Sequence, residues 1–294
     1  MDESVVESWY PDLQNVAFLA EGGQKRVFSC YDGGRRVALK VIDFGPSGSR
    51  QVTAEVTEAQ ERATREVRLL EGIDCPYLPH LVDPAPSLKT HGGRQYFVYG
   101  EEFIEGTPLS DLVAGGSTQC DEAFVLKLCR EMSQAIDELW ARGIVHRDIK
   151  PSNVIFDARR GVFVLIDPGM ALDLADRSLT KVGYVVGTVP YLSPDQLNGP
   201  KRDLDFRSDL YSLGICAYEA VTGQHPYVKP GMALSNSLMA TLNTKPAPIR
   251  SFCAGISPAV EELILRMLEK EPHLRFRTVG GFSEAVERAA GGAS

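Results

Sequence analysis

Eight consecutive residues, His146-Arg147-Asp148-Ile149-Lys150-Pro151-Ser152-Asn153, gather an imidazole, a guanidinium, a carboxylate, an ammonium and a carboxamide. A carboxylate accepts a proton, an ammonium neutralises anionic charge, and a carboxamide oxygen ligates a hard cation. Taken one by one, Asp, Lys, Pro and Asn are also common in a surface loop after a helix. A second charge stands out for its setting. Val52, Val56, Ala59, Ala63, Leu70 and Ile73 recur at spacings of 4, 3, 4, 7 and 3, and the position missing from the stripe is Glu66. The spacing predicts a helix with one face turned inward, and a carboxylate on that face calls for a cationic partner. His80, His91, His225 and His273 fall in loops without Cys or Asp at ligand spacing, which argues against a metal centre. Six cysteines without a C-x-x-C pair argue against a zinc site or a disulfide framework and fit a reducing compartment.

These groups need a scaffold, and 294 residues with 44% hydrophobic and 24% charged side chains can build one. That length fits two domains or one two-lobed domain. With 31 basic against 39 acidic residues the net charge is -8, and no basic cluster suggests a nucleic-acid surface. No apolar run approaches a membrane span, and the acidic opening MDESVVESWY is unlike a signal peptide. The first 45 residues read as strands: Val16 to Ala20, Val27 to Tyr31 and Arg36 to Ile42, with Asp32-Gly33-Gly34 as a hairpin turn. Residues 43–50 read as a loop, and so does the proline-rich run 76–94, followed by a strand at Tyr96-Phe97-Val98-Tyr99. From Glu105-Gly106-Thr107-Pro108 on, the pattern turns helical, with helices at about 121–142, 209–221, 257–269 and 280–290. The helix at 209–221 is apolar on nearly all sides, so it is expected to be buried. Trp9 and Trp140 read as packing residues.

The stretch His146 to Asn153 resembles the catalytic loop H-R-D-x-x-x-x-N of eukaryotic-like (Hanks-type) Ser/Thr protein kinases, of the bacterial sort. Further motifs follow in the family's order. Val37-Ala38-Leu39-Lys40 resembles the third-strand V-A-x-K, and Glu66 stands where the helix partner of that lysine is found. Leu165-Ile166-Asp167-Pro168-Gly169 sits at the place of Asp-Phe-Gly, with Pro168 replacing the Phe. A literal Asp43-Phe44-Gly45 lies too early in the chain and reads as a strand-end turn. Gly187 to Asp195 resembles G-T-x-x-Y-x-x-P-E with Asp195 for Glu, and Arg275 stands where the family pairs an Arg with that carboxylate. Glu102-Phe103-Ile104-Glu105-Gly106 resembles the hinge segment. The glycine loop is degenerate, running Ala20-Glu21-Gly22-Gly23-Gln24-Lys25-Arg26-Val27.

The resemblance spans roughly residues 14–290 and implies an α+β, two-lobed protein-kinase-like fold, a β-rich N-lobe with one main helix and a helical C-lobe. The implied layout is an N-terminal extension at 1–13, the N-lobe at 14–104, the C-lobe at 105–290 and a tail at 291–294. It implies ATP with Mg²⁺ or Mn²⁺, transfer of the γ-phosphoryl group to protein hydroxyls, and autophosphorylation. Asp148, Lys150, Lys40 and Glu66 would be catalytic. Ala20, Gly22, Gly23, Val27, Ala38, Lys40, Glu102 and Ile104 would hold the nucleotide in the cleft, and Asn153 and Asp167 the metal. Arg147, Ser178, Thr180 and Thr188 would be regulatory, with phosphate on Thr180 or Ser178 meeting Arg147. Asp173 or Asp176 could satisfy Arg147 instead. The expected partners are protein substrates and a second copy of the chain during autophosphorylation, in the cytoplasm, with no nucleic acid and no membrane span. Ala20, Lys25 and Pro168 motivate a rival reading, a pseudokinase serving as a nucleotide-binding regulatory or scaffold module. A small-molecule phosphotransferase is a second rival, which the Gly187 to Asp195 segment disfavours.

Overall fold

The computed structural model describes residues 1–22, 25–46, 64, 67, 70–116, 118, 121–167, 189–198, 204–229 and 231–291. The chain divides into two compact units. The first takes Met1–Asp74 and Pro79–Ile104; the second takes Cys75–Leu78 and described residues from Glu105 on.

The first unit is built on five antiparallel strands: β1 (Gln14–Gly22), β2 (Lys25–Asp32), β3 (Arg35–Pro46), β4 (Leu81–His91) and β5 (Arg94–Glu102), in the order β1-β2-β3-β5-β4. Gly33 and Gly34, at φ of 53° and 86°, close the β2–β3 hairpin in the left-handed region that its two-residue turn requires. Strand alternation gives each face its own core. On one face Phe28, Cys30, Val37, Leu39, Val41, Tyr96 and Val98 pack around Val6. Val6 belongs to a short helix, α1 (Glu3–Trp9), capped by Asp2, whose side chain accepts the Val5 N–H. On the other face Ile42, Phe44, Phe97 and Tyr99 pack with Val67. Thr64, Val67 and Leu70 are helical, as the stripe over 52–73 predicts, while Glu66 lies outside the described residues.

Two segments read as loops are strand instead. Residues 43–46 extend β3, pairing Asp43 with Tyr96 and Pro46 with Arg94. Residues 81–91 form β4 despite Pro84 and Pro86. The strand order places β4 at the sheet edge, where a residue without an N–H is tolerated, and the register shifts between Val82 and Ser87, across both prolines. Gly100 permits this bulge, because a Cβ there would lie 2.6 Å from the Asp83 carbonyl oxygen.

The second unit carries a small sheet of β6 (Thr107–Pro108), β7 (Val154–Asp157) and β8 (Val162–Leu165) beside helices α2 (Leu109–Ala114), α3 (Glu122–Trp140), α4 (Pro194–Asn198), α5 (Phe206–Thr222), α6 (Leu234–Asn243), α7 (Pro258–Met267) and α8 (Val279–Gly291). The expected apolar face of α3 is its buried face, from Val125 to Leu139. Helix α5 is buried almost throughout. Asp205 caps its start and Gly223, at φ of 69°, its end. Both tryptophans pack, Trp9 against Tyr96 and Trp140 against Phe206, with ring centroids 5.5 and 5.6 Å apart. Cys30, Cys75, Cys129 and Cys216 are free and buried. Burial pushes the Cys30 and Cys129 thiols up to about 11 and about 12, so both stay protonated. Cys253 is disulfide-bonded, which the sequence reading did not anticipate.

Candidate active site

In the second unit the residues from His146 to Asn153 form a tightly bonded loop between α3 and β7. Asp148 lies at its centre. Its Oδ2 accepts from Lys150 Nζ at 2.9 Å and from Asn153 Nδ2 at 2.9 Å, and the same amide nitrogen reaches the Asp148 carbonyl at 2.8 Å. Its Oδ1 is buried and has no hydrogen-bond partner. A buried acceptor left open is costly, and such atoms concentrate where a substrate group completes the bonding. Asn153 spends its amide nitrogen on Asp148, which leaves the amide oxygen as its ligating atom.

The loop is held from below by α5. Asp209 accepts the backbone N–H of His146 at Oδ2 and that of Arg147 at Oδ1, both at 2.8 Å. Gln196 donates its side-chain amide to the Arg147 carbonyl at 2.9 Å. With both peptide groups gripped, Arg147 sits at φ of 66°, where non-glycine residues are strained. Asp167 is the other strained residue nearby, at φ of 59°, two residues after β8 ends. His146 Nε2 lies 3.2 Å from the Ile166 carbonyl oxygen, and Ile166 N–H donates to the Asn153 carbonyl at 2.9 Å, so the two strained segments are tied to each other. Sequence reading placed Asp209 in a helix start without seeing its role as the anchor of this loop.

Asn153 and Asp167 offer an amide and a carboxylate oxygen, a donor set suited to a hard divalent cation. Among the described residues no group of three or more His, Cys, Asp and Glu side chains gathers to hold a metal.

The carboxylate of Asp195 meets Arg275 through two bonds, 2.6 Å to Oδ1 and 2.9 Å to Oδ2, as the motif order predicted. Burial pushes the Asp195 carboxyl up, but the Arg275 bonds outweigh it and hold it below its ordinary 3.8. A carboxyl lowered on folding adds stability above its unfolded value and loses it as pH falls through the folded one. Acid melting curves should therefore be shallower for Asp195→Asn than for wild type over that range.

In the first unit, Ala20, Val27, Lys40 and Tyr99 are register partners across β1, β2, β3 and β5, and Ser29, Ala38 and Glu101 form the neighbouring row on the same face. Ala20 and Gly22 are exposed, Val27 and Ala38 half-buried, and Lys40 buried. Glu102 turns its carboxylate to His80 Nδ1 at 3.1 Å, and its N–H donates to the His80 carbonyl at 2.8 Å; Ile104 follows just beyond the strand, half-buried. Lys40 Nζ lies 3.4 Å from Oε2 of Glu101, a residue the sequence reading did not single out. The two adjacent carboxylates Glu101-Glu102 that close the apolar run Tyr96 to Tyr99 were the available signal. Asp43-Phe44-Gly45 is part of strand β3, with a register shift between Asp43 and Gly45, and not the strand-end turn expected of it. Asp43 pairs with Arg94 at 2.9 Å and accepts the Gly45 N–H at 2.8 Å. Gly23, Glu66, Pro168, Ser178, Thr180 and Thr188 lie outside the described residues.

The family model described as "Protein kinase domain" matches residues 13–287, and the chain belongs to that family. It is 38% identical over 201 residues to the serine/threonine-protein kinase Pkn1 of Myxococcus xanthus, covering 67% of this chain and 28% of Pkn1. It is 31% identical over 276 residues to the serine/threonine-protein kinase PknA of Mycobacterium tuberculosis, covering 93% of this chain and 60% of PknA. The chain thus spans less than two thirds of the length of either relative. Its fold is like that of the M. tuberculosis PknI kinase domain, with a TM-score of 0.67 at 20% identity over 95% of this chain and 96% of that one. The resemblance to bacterial Hanks-type kinases and the two-lobed kinase fold are both borne out. A protein kinase domain uses ATP and a divalent cation as a general property. Among the described residues no helix is long and apolar enough to cross a membrane.

Proposed function

We propose that this chain is an ATP-dependent Ser/Thr protein kinase with its lobes at 14–104 and 105–290. The observation that carries the reading is Asp148, with one oxygen fixed by Lys150 and Asn153 and the other buried and open. In this reading Asp148 Oδ1 accepts the proton of a Ser or Thr hydroxyl as that oxygen bonds to the γ-phosphorus and the bond to ADP breaks. Lys150, already within reach of Asp148, neutralises charge on the transferred group. Asn153 and Asp167 hold Mg²⁺ or Mn²⁺, whose positive charge screens the phosphates. Lys40 and Glu66 align the α- and β-phosphates, and Ala20, Gly22, Gly23, Val27, Ala38, Glu102 and Ile104 take the nucleotide. The need for ATP and protein acceptors supports a cytoplasmic location. Incubation with labelled ATP and metal, with and without a generic protein acceptor, tests the reading. Label on protein Ser or Thr supports it; nucleotide binding without transfer would favour the pseudokinase.

Arg147 supports a regulatory extension of this reading. Its backbone is locked and its Nε is buried without a partner. A phosphate carries about -1.5 to -2 charge and meets a guanidinium in charge-assisted bonds. Autophosphorylation between two copies should place phosphate on Thr180, then Ser178, and speed the enzyme, with Thr188 left unmodified. Mass spectrometry after ATP treatment locates the phosphate. Equal activity of wild type and the Ser178→Ala/Thr180→Ala protein would reject the switch and favour a carboxylate at Arg147.

A further inference from the structure

The geometry points to Glu101 as a positioning residue of the nucleotide site, a counter-charge built into the sheet that aims Lys40; this rests on the kinase reading of Lys40. The two side chains are 3% and 4% exposed, and Nζ to Oε2 is 3.4 Å. Taking either charge out of water costs several kcal/mol, so a pair this deep persists because each member compensates the other.

The backbone fixes the arrangement. Ala38 is the register partner of Glu101, and Lys40 that of Tyr99. Lys40 and Glu101 therefore rise from the same face of adjacent strands, one diagonal step apart, within reach of long side chains. Burial here is uneven: Lys40 and Glu101 are buried, while Ala38 beside them is half-buried. Lys40 shares its row with the nucleotide candidate Val27 and Glu101 shares the neighbouring row with Ala38, while Glu102 and Ile104 follow in the chain.

An ammonium has three N–H donors, so a bond towards Glu101 leaves two for other groups, including a phosphate. A lysine stem has four rotatable bonds, and fixing its head before the ligand arrives lowers the ordering cost of binding. Glu101 reaches Lys40 from a strand of the same sheet, so this alignment does not wait on the position of any helix.

A thermodynamic cycle of Lys40→Met, Glu101→Gln and the double variant tests the inference, with Glu101→Asp as the conservative control. Melting temperature and ADP affinity by calorimetry are measured beside KM for ATP and kcat. Glu101→Gln should weaken ADP binding by about tenfold or more and raise KM for ATP more than it lowers kcat. Glu101→Asp should recover most of the affinity. Adding Glu101→Gln to Lys40→Met should cost no further affinity, because Glu101 acts on the nucleotide through Lys40. ADP affinity in Glu101→Gln equal to wild type, or effects of the two changes that simply add, overturns the inference. A wild-type protein that binds ADP but transfers no phosphate counts against the kinase reading alone.

Discussion

Asp148→Asn is expected to fold and melt like the wild type while phosphoryl transfer falls by about 10²–10⁴-fold, the range a positioned general base contributes. The change is isosteric, and an amide oxygen can still accept from Lys150 and Asn153, which at present bond one carboxylate oxygen. The new amide nitrogen occupies the place of Oδ1, the atom that has no partner in the folded protein. It carries protons of its own and accepts none, so the acceptor hydroxyl loses its base with little change in packing. Transfer rates with a protein acceptor, measured next to melting curves and ADP affinity, check this. Undiminished transfer by a purified Asp148→Asn protein would remove Asp148 from the mechanism.

Asp209→Ala, by contrast, should act through stability. Both Asp209 oxygens accept backbone N–H groups of the His146-Arg147 segment, in a site where the residue is 2% exposed. Truncation orphans two buried donors at about 1–3 kcal/mol each, or about 2–6 kcal/mol together. Set against a typical total of about 5–15 kcal/mol, that is a severe loss, and it also releases Arg147 from its strained conformation. Burial pushes the Asp209 carboxyl up to about 7, with the two N–H donors pulling the other way. A carboxyl raised on folding stabilises below its unfolded value and loses that contribution as pH rises through about 7. Chemical denaturation from pH 4 to pH 8 should show this decline in wild type and not in Asp209→Asn. A Asp209→Ala protein as stable as wild type would refute the anchoring role.

The site was legible wherever its chemistry is contiguous in the chain. His146 to Asn153 holds the base candidate, its lysine and its asparagine in one run, and Asp195 found Arg275 because both lie in ordered motifs. What escaped depends on spatial neighbours. Strand β4 was hidden by prolines that only an edge position tolerates, and the end of β3 by a Gly-Pro pair that pairs with β5 all the same. Helix α6 escaped because Ser237 and Thr241 are its buried residues, so no apolar stripe marks it. Periodicity singled out Glu66 as an inward charge and the resemblance matched it to Lys40, but neither could point to Glu101, because cross-strand register is invisible along one strand. Asp209 was read as part of a helix start because its two partners are more than sixty residues away.

The prolines of β4 also bear on what the first sheet can do with other polypeptides. An edge strand with a full row of N–H and C=O groups is a template for strand addition, and unguarded edges recruit extended peptides or partly unfolded copies into growing sheets. Pro84 and Pro86 contribute no N–H, and the ladder breaks register between Val82 and Ser87, so an incoming strand meets interrupted donors and a bend. The first sheet thus presents, at this border, a backbone onto which an extended peptide cannot zip along its whole length.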